Sequence, residues 1–92
     1  MDLIIPETNK KQFNELAEKI IDELAKSFPV GINPLAENFS VKHPVLQGAL
    51  AYLTADGYLN YLESDQCYYL TPACVLKITQ SQGFAGFKPI IA

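Results

Sequence analysis

The chain has 92 residues, of which 49% are hydrophobic and 18% are charged. This length is typical of one domain, and the apolar content is too high for a disordered segment. No apolar run reaches the roughly 18 residues that a membrane-spanning helix needs, and the acidic start Met1–Pro6 is unlike a secretory signal. The sequence therefore predicts a single domain over residues 1–92, cytoplasmic and without a membrane partner.

Acidic residues outnumber basic ones, with ten Asp and Glu against seven Lys and Arg and a net charge of −3. Domains that bind nucleic acid are usually basic, because the phosphate backbone supplies most of their affinity. The overall charge therefore counts against DNA as a partner. It does not exclude DNA, because only the charges near the duplex matter.

The residue types needed for metal binding or catalysis are scarce. Cys67 and Cys74 are seven positions apart, which matches no zinc pattern, and His43 is the only histidine. We therefore expect buried reduced thiols, no metal and no cofactor. No Ser, Cys or Asp has a base partner other than this one histidine, so we expect no catalytic residue and no enzymatic activity.

The first long element is an amphipathic helix. Asn9, followed by Gln12, is its predicted cap, and Pro29 and Gly31 are predicted to end it. Its apolar residues recur at helical spacing and predict one buried stripe: Phe13, Leu16, Ala17, Ile20, Ile21, Leu24, Ala25 and Phe28.

The middle of the chain predicts a helix, a turn and a second helix over about residues 33–56. A very short strand is expected at 30–32, and Asn33 before Pro34 predicts the start of a short helix that ends near Phe39. A further helix is predicted to begin near His43 and to be closed by Asp56 and Gly57.

In the last third of the chain, the sequence pattern changes from that of helices to that of strands. Aromatic-rich runs at 58–62 and 67–70 predict a β-hairpin with a polar tip at 63–66. Thr71 and Pro72 then predict a capped helix over about 72–82. The apolar tail at 83–92 is expected to dock on the domain or to form a homodimer with a second copy.

Several short segments in this order resemble a known family pattern. They are Leu35-Ala36-Glu37, Val41, Ala49-Leu50, Leu53, Asp56-Gly57-Tyr58-Leu59 and Tyr69-Leu70-Thr71-Pro72. Over residues 33–72 the chain resembles the winged helix-turn-helix superfamily, in particular small bacterial transcription regulators. The resemblance implies a mainly helical α+β fold with a three-helix core, a hairpin wing and a C-terminal helix. It also implies a regulator that binds double-stranded DNA.

In that family the helix starting near Lys42 is the recognition helix, which enters the major groove. The resemblance therefore assigns DNA contacts to Lys42, His43 and Gln47, of which Gln47 has the amide chemistry to read adenine. The chain differs from the family pattern in having few basic residues in this region. Between Phe28 and Leu76 the one cation is Lys42, whereas Glu37, Asp56, Glu63 and Asp65 are acidic.

A second interpretation is a winged-helix module that docks on a protein and does not bind DNA. The apolar face around Val45 and Tyr52, together with Phe84 and Phe87 of the tail, is its predicted interface. Alternatively, Val45 and Tyr52 pack against the hairpin or the first helix. A third interpretation is a phage or mobile-element protein that uses its negative charge to occupy a nucleic-acid-binding site.

Overall fold

The computed structural model describes residues 4–80 and has a mainly helical α+β architecture. The coarse fold class predicted from the sequence is confirmed. None of the helices in this part of the chain has the length and hydrophobicity needed to cross a membrane. The elements in chain order are α1 (Glu7–Ser27), a 3₁₀ helix (Ala36–Phe39), α2 (His43–Ala55), β1 (Leu59–Leu62), β2 (Cys67–Leu70) and α3 (Pro72–Gln80).

The start of α1 differs from the prediction. The helix begins at Glu7, and the carbonyl of Pro6 accepts hydrogen bonds from the backbone N–H groups of Asn9 and Lys10 at 3.0 and 3.1 Å. The prediction that Asn9 caps the helix was therefore wrong, because Asn9 lies inside its first turn. A proline just before the helix and an acidic residue in its first turn provide an earlier start, since Glu7 complements the helix dipole.

The end of α1 corrects a second prediction. Phe28 does not continue the buried stripe, because the helix ends at Ser27 and the Phe28 side chain is 53% exposed. The physical reason is Pro29, whose ring disfavours helical dihedrals at the preceding residue. Phe28 accordingly has an extended backbone, with φ −51° and ψ 136°.

The segment between α1 and α2 contains one residue of sheet pairing. Ile32 exchanges two backbone hydrogen bonds with Tyr68, at 3.1 and 2.7 Å, so the predicted short strand is a single bridge beside β2. The prediction that Asn33 caps the next helix was wrong. That helix is one 3₁₀ turn whose cap residue is Leu35, and it ends at Ser40, which has a positive φ of 56°.

The hydrophobic core lies between α1, α2 and the hairpin. Within residues 4–80 no polar or charged side chain is buried. Burial of one Leu or Ile side chain contributes about 1.5–3 kcal/mol, so the two facing stripes provide most of the stability. The buried residues are Leu16, Ala17, Ile20, Ile21, Leu24, Phe39, Leu46, Ala49, Leu50, Leu53, Leu59 and Cys74.

The hairpin is fixed to the helices at its open end. Gly57 follows α2 with φ 87°, the left-handed conformation in which glycine costs least, so the predicted stop is confirmed. Thr71 joins the other strand to this corner, because its hydroxyl donates to the carbonyl of Gly57 at 2.6 Å. The same oxygen accepts from the backbone N–H of Cys74 at 3.1 Å, which confirms the predicted cap of α3.

The strands pair antiparallel as the predicted hairpin, and the structure gives the register, with Leu59 opposite Leu70 and Leu62 opposite Cys67. The predicted end of the last helix near Gln82 lies outside residues 4–80. So does the tail at 83–92, with Phe84 and Phe87.

Candidate nucleic-acid interface

The N-terminal end of α2 lies at the surface. Lys42 is the cap residue in an extended conformation, and its carbonyl accepts hydrogen bonds from the N–H groups of Val45 and Leu46 at 3.0 and 3.2 Å. Pro44 occupies the first turn, where its missing N–H costs nothing. The backbone of Lys42 does the capping, and its side chain makes no capping hydrogen bond; the residue is exposed.

The three residues predicted to contact DNA lie on one exposed end of α2. Lys42, His43 and Gln47 are all exposed, and His43 and Gln47 are four positions apart, which places them on the same helix face. The buried residues of α2 are Leu46, Ala49, Leu50 and Leu53. The structure therefore brings these residues together at the surface.

The rest of the exposed face of α2 is apolar or small. Val45 is 50% exposed and Tyr52 is 42% exposed, and Gly48 and Ala51 are also exposed. Tyr52 does pack on the first helix, since its ring meets that of Phe13 edge-on with the centroids 5.0 Å apart. The packing of Tyr52 on the first helix is therefore confirmed, and its side chain remains partly exposed.

A groove of about 400 Å³ separates α1 from the turn before α2. Two lysines line it, Lys19 from α1 and Lys42 from α2, together with the acidic Glu15. The proximity of Lys19 to Lys42 was not predicted from the sequence. The available signal was the placement of Gln12, Glu15 and Lys19 along one edge of the α1 stripe. The complete lining is Gln12, Glu15, Leu16, Lys19, Phe39, Ser40, Val41, Lys42 and Val45.

Three other lysines of the described region, Lys10, Lys26 and Lys77, have polar partners. Lys10 lies 3.4 Å from Glu7, and Lys77 donates to the hydroxyl of Tyr58 at 2.8 Å. Lys26 lies 3.1 Å from Asp22 and 3.6 Å from Glu23. Its pKa is raised by the hydrogen bond to Asp22 and by the charges of both carboxylates. Lys19 and Lys42 are therefore better placed than these three to meet an external anion.

The tip of the hairpin is acidic, but its two carboxylates differ. Asp65 accepts a hydrogen bond from the backbone N–H of Cys67 at 3.1 Å and a second one from the hydroxyl of Tyr69. Through these hydrogen bonds Asp65 stabilises the turn. The hydrogen bond to Asp65 also raises the pKa of the Tyr69 phenol. Glu63 is exposed at the same tip and takes no part in these hydrogen bonds, whereas Asp65 is exposed and hydrogen-bonded there.

The cysteines differ in burial. Cys74 is 1% exposed, as predicted, whereas Cys67 is only partly buried. Burial raises the pKa of the Cys74 thiol to about 11, which keeps it protonated at neutral pH. Among residues 4–80, no group of three His, Cys, Asp or Glu side chains is arranged to hold a metal ion.

The predicted interface residues Phe84 and Phe87 lie outside the described part of the chain, whereas Val45 and Tyr52 belong to the face described above. Comparisons with protein-family models, with curated proteins and with solved structures find no significant match to this chain.

Proposed function

We propose that this chain is a winged-helix regulator of transcription that binds double-stranded DNA with α2 as its recognition helix. The observation that supports the proposal is the exposure of Lys42, His43 and Gln47 together at the N-terminal end of α2. α2 follows a 3₁₀ helix and a short turn, and a hairpin follows α2 directly. The step from this arrangement to DNA is an analogy of fold.

The exposed residues have suitable chemistry for this role. The major groove, about 12 Å wide, admits an α-helix, and a glutamine amide can make two hydrogen bonds to adenine. Gln47 would read a base, and Lys42 would meet a phosphate near the helix start. Lys19, across the groove, would supply a second cation from α1.

The small number of cations predicts weak binding with a shallow salt dependence. Each phosphate neutralised contributes about −0.9 to the slope of log K against log salt concentration. Two lysines per protomer therefore predict a slope of about −2 for one protomer, far from the value of about −10 found for a strong binder. Specificity would then depend on Gln47 more than on electrostatic attraction.

Fluorescence anisotropy with a duplex selected from a random library tests the proposal at about 25–200 mM salt. We expect Lys19→Gln and Lys42→Gln each to reduce the slope by about 1. Gln47→Ala should weaken binding to the selected duplex and leave the slope unchanged. Lys26→Gln is the matched control, because Lys26 is paired with Asp22 and Glu23. Failure of the full chain to bind any duplex at 25 mM salt would refute the proposal.

A second candidate is a protein-docking module, and one specific observation favours it. From His43 to Ala55 the helix α2 contains no Asp, Glu, Lys or Arg, and its exposed face presents Val45 and Tyr52. Interface centres are depleted of charge and enriched in aromatic residues, as this face is.

One substitution separates the two candidates. Val45→Lys adds a cation beside Lys19 and Lys42, so it should tighten duplex binding, because it adds a phosphate contact. The same change places a charge in a desolvated interface and should abolish capture of a protein partner. Tighter duplex binding by Val45→Lys would identify DNA as the partner. Loss of protein capture would identify a protein partner.

A further inference from the structure

A cavity of about 220 Å³ lies where the end of α2 meets the beginning of α3. It shares no residue with the groove that contains Lys19 and Lys42. Gly57 and Ala73 contribute little side chain to its walls, and two charged residues line it. The lining consists of Asp56, Gly57, Tyr58, Ala73, Cys74 and Lys77.

The positive charge in this cavity is held in place by Tyr58. The ammonium group of Lys77 donates a hydrogen bond to the Tyr58 hydroxyl at 2.8 Å and lies 5.0 Å from the centre of the same ring. An ammonium group has three donors, so this hydrogen bond leaves two of them for other acceptors. Lys77 is exposed, and these donors can therefore meet a ligand that enters from solvent.

The negative charge comes from Asp56, an exposed residue directly after α2. Within residues 4–80 its carboxylate forms no ion pair, although it lines the same cavity as Lys77. The two charges are close enough to interact: the hydrogen bond to Tyr58 is the largest cause that raises the pKa of Lys77, and the charge of Asp56 raises it further. The cavity thus contains two opposite charges that do not neutralise each other by direct contact.

We propose that this cavity binds a small zwitterion, an α-amino acid with a short side chain, with its carboxylate on Lys77 and its ammonium group beside Asp56. The two charges decide the class of ligand. A simple anion would be repelled by Asp56 and a simple cation by Lys77, whereas a zwitterion is attracted by both residues. An uncharged ligand would displace water from both charges without replacing its hydrogen bonds, which lowers affinity.

The size of the cavity limits the side chain of the ligand. With about 30 Å³ for each water molecule of the liquid, the cavity has the volume of roughly seven waters. Gly57 and Ala73 also give its walls little apolar surface. Glycine, alanine or serine therefore fits better than an aromatic amino acid, which needs a larger and more apolar pocket.

The affinity should be low, because both charged side chains are exposed. Solvent screens charges at such positions, so each contact contributes little, and we expect a Kd of about 1–10 mM. The same screening makes a direct ion pair between Asp56 and Lys77 a weak competitor of the ligand.

NMR titration of the ¹⁵N-labelled full chain tests the inference without reference to DNA. The probe is L-alanine at up to about 50 mM, several times the expected Kd, at constant ionic strength. We expect saturable shifts of the backbone amide signals of Gly57, Tyr58, Ala73 and Cys74. Propionate and ethylamine each carry one of the two charges of alanine and should bind about fivefold more weakly. Equal affinity for either of them, or no saturable shift with alanine, overturns the inference.

Charge variants provide a second test. Asp56→Asn and Lys77→Gln should each weaken alanine binding by about fivefold. Glu63→Gln and Lys26→Gln make the same changes of charge outside the cavity and should leave the Kd within about twofold of the wild type. All four positions are exposed, and an amide spectrum of unchanged dispersion confirms the fold of each variant before titration. Wild-type affinity of either cavity variant, or an equal loss in the matched control, would also overturn the inference.

Discussion

The aromatic ring of Tyr69 lies so close to the backbone of Gly31 that a β-carbon at residue 31 would come within 2.6 Å of the ring. The ring has little freedom to retreat. The neighbouring Tyr68 is paired with Ile32 by two backbone hydrogen bonds, and the hydroxyl of Tyr69 donates to Asp65. Glycine at residue 31 therefore lets the chain after α1 approach the hairpin at this point.

Gly31→Ala should destabilise the protein by about 1–3 kcal/mol, the usual cost of inserting a methyl group into a packed contact. Either the ring of Tyr69 leaves Asp65 or the bridge between Ile32 and Tyr68 lengthens. Urea denaturation followed by circular dichroism measures the change, as a lower midpoint with an unchanged slope.

Gly48→Ala is the control for this prediction. Gly48 lies inside α2, and within the described part of the chain a β-carbon there would meet nothing within 4 Å. Alanine has a higher helix propensity, so this change should stabilise the protein by about 0.5–1 kcal/mol. Equal stability of Gly31→Ala and the wild type would mean that the contact with Tyr69 relaxes freely.

Features that depend on local chemistry could be predicted from the sequence. The α1 stripe followed from a helical repeat over several turns, and the stop at Gly57 followed from its conformational freedom. The cap at Thr71 was predictable because a hydroxyl before a proline suits the first turn of a helix. Lys42, His43 and Gln47 were predicted as DNA contacts from the resemblance, and the structure shows that all three are exposed.

Features that depend on neighbouring elements could not be predicted in the same way. Asn9 and Asn33 have the chemistry of caps, but Pro6 starts α1 earlier and Leu35 precedes the 3₁₀ helix. The proximity of Lys19 to Lys42 requires the packing of α1 against the turn before α2. Periodicity places each residue on a face of its own element, and it does not give the distance between two elements.

Thr71→Val should destabilise the protein by about 1–2 kcal/mol. Valine keeps the shape of threonine but loses the hydroxyl that bonds both the Gly57 carbonyl and the Cys74 N–H. Thr71→Ser retains the hydroxyl and should stay within about 0.5 kcal/mol of the wild type. Thermal or urea denaturation of the three proteins is the measurement, and a loss for Ser as large as that for Val would show that the methyl group matters as much as the hydroxyl.

Glu63→Gln tests the acidic hairpin tip and depends on the proposed DNA binding. Removal of one charge at about 8 Å from a phosphate, in water, is worth about 0.5 kcal/mol, or roughly a twofold gain in affinity at low salt. Glu18→Gln makes the same change of charge on an exposed position of α1 outside the groove, and it should have a smaller effect. Anisotropy titrations at about 25 and 200 mM salt should show the gain shrinking as screening increases. An equal gain from both variants would indicate a response to net charge alone.

The buried thiol of Cys74 should make the protein less stable at alkaline pH. Burial raises its pKa from the usual 9.0 to about 11, an effect that the charge of Lys77 partly opposes. Between these two values the unfolded chain loses the thiol proton while the folded chain keeps it, so the free energy of unfolding falls as pH rises. The thiol accounts for a loss of about 2 kcal/mol at most between pH 8 and 11.

Cys74→Ala isolates this contribution. Tyr68 and Tyr69 also have raised pKa values, from burial and from the hydrogen bond to Asp65 respectively, and they titrate in both proteins. Urea midpoints at pH 8, 9, 10 and 10.5 should therefore fall for both, but less steeply for Cys74→Ala. Parallel curves would show that the thiol is as accessible to ionisation in the folded protein as in the unfolded chain, which its near-complete burial between the helices and the hairpin argues against.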